Sequence, residues 1–134
     1  MTLITKIEGI GAAYAEKLAE AGITTVEDLL ERGASPKGRK ALLEATEISA
    51  KLVLKWVNRA DLARVKGIGE EYADLLEVAG VDTVPELAQR NPGNLYQKLV
   101  EVNKERKLVR HVPSANQVQS WVEQAKELPR KVTY

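Results

Sequence analysis

The chain has 134 residues, with 20 Lys and Arg against 19 Asp and Glu for a formal net charge of +1, and it contains no cysteine. The missing thiol excludes a disulfide framework, a thiolate metal site and a cysteine nucleophile. A hydrophobic share of 44% is too high for disorder, and a charged share of 29% is ordinary for a soluble globular protein.

Phe is absent, aromatic residues are sparse, and Ala, Leu and Glu are the commonest residues, so helix is expected nearly throughout. The first thirty residues hold no apolar run of signal-peptide type, and no segment approaches membrane-spanning length. The expected setting is cytoplasmic, without membrane contact. The near-zero total hides a pattern. Residues 1–33 sum to −3, 34–66 to +5, 67–96 to −5 and 97–134 to +4. Binding responds to such local fields rather than to the total.

In chain order the first segment to read is Ile7–Gly33, because it recurs as Val65–Asn91 at an offset of 58, with 12 of 27 positions identical. A repeat of this period means two copies of one supersecondary unit. Ala12–Ala21 places Tyr14, Ala15, Leu18 and Ala21 on one helical stripe, and Gly22 supplies a left-handed stop. The second copy repeats this with Tyr72, Ala73, Leu76 and Ala79, ending at Gly80. A short helix follows from Thr24 or Thr25; Thr24 with Glu27 and Thr83 with Glu86 have capping-box spacing. Ser35-Pro36 and Asn91-Pro92 read as cap plus first-turn proline of a third helix in each half. Ser49 caps a fourth, Ala50–Leu62, and Ser114 caps its counterpart, Ala115–Leu128, which Pro129 stops. Trp56-Val57 matches Trp121-Val122 at an offset of 65 rather than 58, so the second half holds seven extra residues, expected in a loop around Lys104–Pro113.

The architecture expected is all-α, about eight helices in two units, 1–62 and 63–134, closely packed and rigidly coupled with pseudo-two-fold symmetry. Only Met1–Lys6 precedes the first Gly-Ile-Gly, whereas Ala50–Leu62 precedes the second. The C-terminal helix is therefore expected to fill the vacancy near Ile7–Ala15. It could do so within a monomer or by exchange in a homodimer.

The motif Ile7-Glu8-Gly9-Ile10-Gly11 with Ala15, and Val65-Lys66-Gly67-Ile68-Gly69 with Ala73, resembles the helix-hairpin-helix motif. The continuation Ala-Gly-[Ile/Val]-x-Thr-Val resembles the helical DNA-associated domains at the N-termini of recombinases. The whole chain resembles a small uncharacterised family of tandem helix-hairpin-helix proteins. That resemblance implies a turn that holds nucleic-acid backbone phosphates without reading sequence, and in some hairpins a monovalent cation on turn carbonyls. The physics is consistent. Glycines permit positive φ and close approach, Ile10 and Ile68 plug the turn into the core, and the helix start offers free amides. Both Gly11 and Gly69 are expected to need the absence of a Cβ. Nucleic-acid-binding hairpins usually carry Lys, Arg, Ser or Thr after the second glycine. Ala12-Ala13 and Glu70-Glu71 depart from that, and the two carboxylates oppose an incoming phosphate.

The candidate nucleic-acid contacts are thus Lys6, Gly9, Ile10, Gly11 and Ala12 in the first copy, and Arg64, Lys66, Gly67, Ile68 and Gly69 in the second. Lys51, Lys55 and Arg59 join them as a stripe at four-residue spacing. Further basic groups are Lys37, Arg39 and Lys40 at a helix start, and Lys104, Arg106, Lys107, Arg110 and His111 in the basic loop. Tyr14, Tyr72, Trp56 and Trp121 sit among apolar residues at helical spacing and are read as packing groups. A single His111 allows no triad or histidine cluster, and the carboxylates lie on solvated faces. No catalytic residue, metal ligand or cofactor is therefore expected. Two functional classes stay open: a weak, sequence-independent nucleic-acid binder, or a protein-interaction module that uses the hairpins as scaffold.

Overall fold

A computed structural model describes residues 2–7 and 9–134. Met1, and Glu8 of the first Gly-Ile-Gly motif, lie outside the described residues. The fold is all-α. Among the described residues there are eight α-helices and no strand beyond an isolated antiparallel bridge between Leu3 and Thr25. The chain divides into two compact units, one of residues 1–61 with 131–134 and the other of residues 62–130. The second unit is thus inserted, in sequence, between Asp61 and Lys131 of the first.

In the first unit a 3-10 turn, Ile4–Lys6, leads to α1 (Ala12–Glu20), α2 (Val26–Gly33), α3 (Pro36–Thr46) and α4 (Ala50–Leu62). The starts follow from local chemistry. Thr25 caps α2 in a reciprocal box, its hydroxyl accepting from the Asp28 N–H and the Asp28 carboxylate accepting from the Thr25 N–H. The box acid is Asp28, so the cap is Thr25 and not Thr24. Ser35 caps α3 ahead of Pro36, and Glu47 ends it in the left-handed region at φ 60°. Ile4, Ile10, Leu18, Ile23, Leu29, Leu42, Val53, Trp56 and Val57 form the core.

The second unit contains α5 (Glu70–Val78), α6 (Val84–Ala88), α7 (Pro92–Arg106) and α8 (Ala115–Glu127). Thr83, Asn91 and Ser114 cap α6, α7 and α8 through their side chains. Its own core gathers Leu62, Val65, Ile68, Leu75, Leu76, Leu87, Leu95, Leu99, Val118, Trp121 and Val122. The extra residues of this half are only partly loop: Lys104–Arg106 complete α7, which has 15 residues against 11 in α3.

The destination of α8 corrects the sequence reading. It belongs to the second unit, where it lies against α6 and α7. Its Trp121 sits on Gly67 and beside Tyr72, ring centroids 5.3 Å apart. Trp56 of α4 likewise sits on Gly9 and edge-on to Tyr14 at 5.1 Å. Each copy's fourth helix therefore covers the Gly-Ile-Gly turn of its own copy.

What returns to the first unit is the tail. Val132 is 2% exposed within that core. The Thr133 N–H donates to the Ala34 carbonyl at 2.8 Å. Arg39 donates to the carbonyls of Gly33 at 2.9 Å, Ala34 at 3.2 Å and Thr133 at 2.7 Å, with the Tyr134 ring 5.7 Å from its guanidinium carbon. The Tyr134 hydroxyl donates to Asn58 Oδ1 at 2.6 Å. Arg39 is thus a structural clamp.

Full burial of a valine side chain is worth about 1.5–3 kcal/mol. We predict that removing residues 131–134 speeds hydrogen exchange in α2 and α3 by about tenfold or more while α5–α8 keep their protection. Unchanged protection in α2 and α3 would show that the tail does not support the first unit.

Candidate functional site

The two Gly-Ile-Gly turns use their glycines differently from the sequence reading. Gly9 and Gly67 have φ of 94° and 97°, the left-handed region that disfavours any residue with a Cβ. A Cβ on Gly67 would also come within 2.9 Å of Trp121 Nε1, and one on Gly9 within 3.4 Å of Trp56 Nε1. Gly11 and Gly69 are ordinary extended N-caps at φ −84° and −90°, and a Cβ on either meets nothing within 4 Å. The expectation that the second glycine is conformationally required is therefore wrong. It leaves open space in front of the helix start instead.

Of the site residues read from sequence, Ile10 and Ile68 are buried plugs, 4% and 6% exposed. Lys6, Gly9, Gly11 and Ala12 are all exposed, at or beside the first turn. Among the described residues no side chain caps α1. Lys66, Gly67 and Gly69 are exposed at the second turn, where the Lys66 backbone is bracketed by Gln124 of α8. Its N–H donates to Gln124 Oε1 at 2.9 Å, and its carbonyl accepts from Gln124 Nε2 at 3.2 Å. No feature of spacing flagged Gln124. Its place in the repeat, 65 residues on, is that of Arg59.

Arg59 departs from the basic stripe. Lys51 and Lys55 are exposed, but Arg59 is 8% exposed, beside Asn58 and Ala60 in the buried side of α4. From Trp56 to Leu62 every residue of α4 is buried, so this end of the helix is covered all round and takes Arg59 with it. Arg64 is half-buried, and its guanidinium donates to the Pro129 carbonyl at 2.7 Å. Both are engaged inside the protein. Of the basic residues singled out from the sequence, those that stay exposed on the first unit are Lys6, Lys37, Lys40, Lys51 and Lys55. Among the described residues no group of three or more His, Asp or Glu is placed to hold a metal ion, and no helix is long and apolar enough to cross a membrane.

Over residues 8–128 the chain matches the family described as Domain of unknown function (DUF4332). The chain belongs to that family. No solved structure matches it.

In this family member the two copies also differ in electrostatics. The α1 start is the uncharged pair Ala12-Ala13, whereas α5 starts with exposed Glu70 and Glu71. At the next cap, Asp28 accepts from the Thr24 and Thr25 N–H groups, each at 3.2 Å. Those bonds, Thr24 first, hold its carboxyl below the ordinary 3.8. In the second copy Asp82 stands where Thr24 stood and Glu86 where Asp28 stood. Glu86 is held above the ordinary 4.5, first by its hydrogen bond with Asp82 and then by burial.

The glycines separate fold from surface. We predict that Gly9→Ala and Gly67→Ala each destabilise by roughly 1–3 kcal/mol. Gly11→Ala and Gly69→Ala should stay within about 0.5 kcal/mol, read from urea unfolding. Equal losses at all four positions would refute this division.

The caps predict opposite pH responses. Asp28, lowered on folding, contributes stability that is present above 3.8 and lost as pH falls through its folded value. Glu86, raised on folding, contributes stability that is present below 4.5 and lost as pH rises through its folded value. Asp82→Thr, which restores the first copy's cap, should therefore raise stability at about pH 7, with the gain shrinking toward about pH 4. A gain independent of pH would mean that the carboxyl pair is not its source.

Proposed function

We propose that the protein is a non-catalytic module that binds nucleic-acid backbone, DNA by preference, without reading sequence, and that the first Gly-Ile-Gly turn makes the contact. The observation carrying this reading is the open, uncharged and uncapped start of α1 at Gly11, Ala12 and Ala13, with Lys6 exposed nearby. Free amides at a helix N-terminus suit a phosphate oxygen, and exposed lysines add charge that releases counterions. The likeness of the turn to the helix-hairpin-helix motif supports the same class of ligand. Lys51 and Lys55 of α4 supply additional positive field on this unit, without Arg59.

The second turn contributes little on this reading. Glu70 and Glu71 stand in the first turn of α5, where carboxylates favour the helix and repel phosphate. That same acidic surface is the specific observation favouring the other reading, a protein-assembly module whose second unit docks on a basic partner.

The test is a fluorescence-anisotropy titration of the full chain with short duplex and single-stranded DNA at about 50 and 200 mM salt. Weak binding with a log–log salt slope near about −3 is expected on duplex. Gly11→Ala, neutral for stability, should weaken binding, whereas Gly69→Ala should not, and Glu70→Lys with Glu71→Lys should strengthen it. No binding by the native chain at the lower salt would overturn the nucleic-acid reading and favour assembly.

A further inference from the structure

The second unit carries a basic surface that the Gly-Ile-Gly turns do not explain. Between α3 and α4 the chain needs only Glu47–Ser49, but between α7 and α8 it runs from Lys107 to Ser114. This longer connection is pinned at several points. The Lys107 N–H donates to the Asn103 carbonyl at 2.9 Å as a left-handed cap, φ 49° and ψ 47°. Asn103 then clasps Val109 in both directions, at 3.1 Å to its carbonyl and 3.0 Å from its N–H. The Tyr72 hydroxyl donates to the His111 carbonyl at 3.0 Å, and Val109 and Pro113 are buried.

The charged ends point the other way. Lys104, Arg106, Lys107, Arg110 and His111 are all exposed, with Glu105 as the one carboxylate in that run. Among the described residues none of the four Lys and Arg side chains is held in a hydrogen bond or ion pair, whereas Lys55, Arg59 and Arg64 are engaged. Helix-dipole stabilisation accounts for Lys104 and Arg106 in the last turn of α7. It does not account for Arg110 beyond the helix.

Resting on the nucleic-acid reading above, we propose that the last turn of α7 and the pinned loop after it, together Lys104–His111, are the second unit's contact with backbone phosphates, in place of its acidic turn. Two guanidinium forks and two ammonium groups on a fixed backbone suit a regular polyanion, because arginine meets phosphate oxygens in pairs and little loop entropy is lost on binding. The Tyr72–His111 bond holds the loop beside the first turn of α5, where Glu70 and Glu71 turn phosphate away from the helix start. The connection between α3 and α4 is shorter, Glu47–Ser49, so on this reading each copy meets phosphate with a different part of the same scaffold.

The full chain is titrated with labelled duplex DNA across about 50 to 200 mM salt, comparing native protein, Arg106→Glu with Arg110→Glu, Lys107→Gly and Gly11→Ala. The double variant should bind about tenfold more weakly, with a salt slope shallower by about 2. Lys107→Gly relieves the left-handed cap, so its Tm should equal or exceed the native value while its affinity falls; a merely structural loop would not separate the two. Native affinity and slope in both loop variants, with weaker binding only in Gly11→Ala, would overturn the loop and leave the turn reading standing. Loss in the loop variants with none in Gly11→Ala would support the loop and overturn the turn. Capture of polyglutamate with no binding of DNA would overturn both.

Discussion

Each copy of this fold depends on an indole resting on a glycine. Trp56 and Trp121 are each 1% exposed, and burying a tryptophan is among the largest single apolar gains available to a small unit. The indole edge can approach Gly9 or Gly67 only because no Cβ stands there, and the left-handed φ keeps that position a glycine even without the contact. Tyr14 and Tyr72, from the helix after the turn, close the other side of each ring. Three parts are therefore locked together: the turn, the helix it starts, and the helix that carries the tryptophan. Trp56 Nε1 is left without a hydrogen-bond partner among the described residues, a cost of about 1–3 kcal/mol that the aromatic packing has to offset.

That lock divides the tripeptide into parts with separate duties. The first glycine sets the backbone, the isoleucine fills the core, and the last glycine leaves open space where a Cβ would stand. The next two residues, exposed in both copies, are under no packing constraint, so they can change the chemistry offered to a ligand without disturbing the fold. Ala12-Ala13 and Glu70-Glu71 are two outcomes of that freedom. The same separation recurs one cap later, where Thr24 and Asp82 occupy corresponding places and move the neighbouring carboxyl in opposite directions.

The legible parts of the fold were those encoded locally. Ser35-Pro36, Asn91-Pro92 and Ser114 each start a helix as their chemistry requires, and the tyrosines and tryptophans pack as their spacing indicates. Partner choice was not legible. An amphipathic stripe says that α8 must be buried, but the Gly-Ile-Gly tripeptides that compete for it are identical in sequence. Arg59 shows the same limit at the candidate site. Four-residue spacing sets a direction around the helix but not what covers it, and from Trp56 to Leu62 every position of α4 is buried, so the stripe ends at Lys55. Gln124 carried no signal at all, because a glutamine that brackets a backbone looks like any solvated one.

Arg64 shows how a residue read as a phosphate contact can serve the chain's topology instead. The tail reaches the first unit through contacts as distant in sequence as Lys131 with Glu31, 100 residues apart. Closing so long a loop in an unfolded chain is opposed by entropy that grows by about 0.6 kcal/mol per doubling of length, on top of the cost of ordering the tail. The second unit removes most of that distance when it folds. Arg64 lies two residues into it, Pro129 one residue from its end, and the 2.7 Å bond between them sets its entry and exit side by side. The chain thus leaves the second unit next to where it entered, and the tail needs to order only four residues to bury Val132 and meet Arg39. The long contacts of the first unit become short once the second has formed, which lowers the loop-closure cost of completing the unit that surrounds it in sequence.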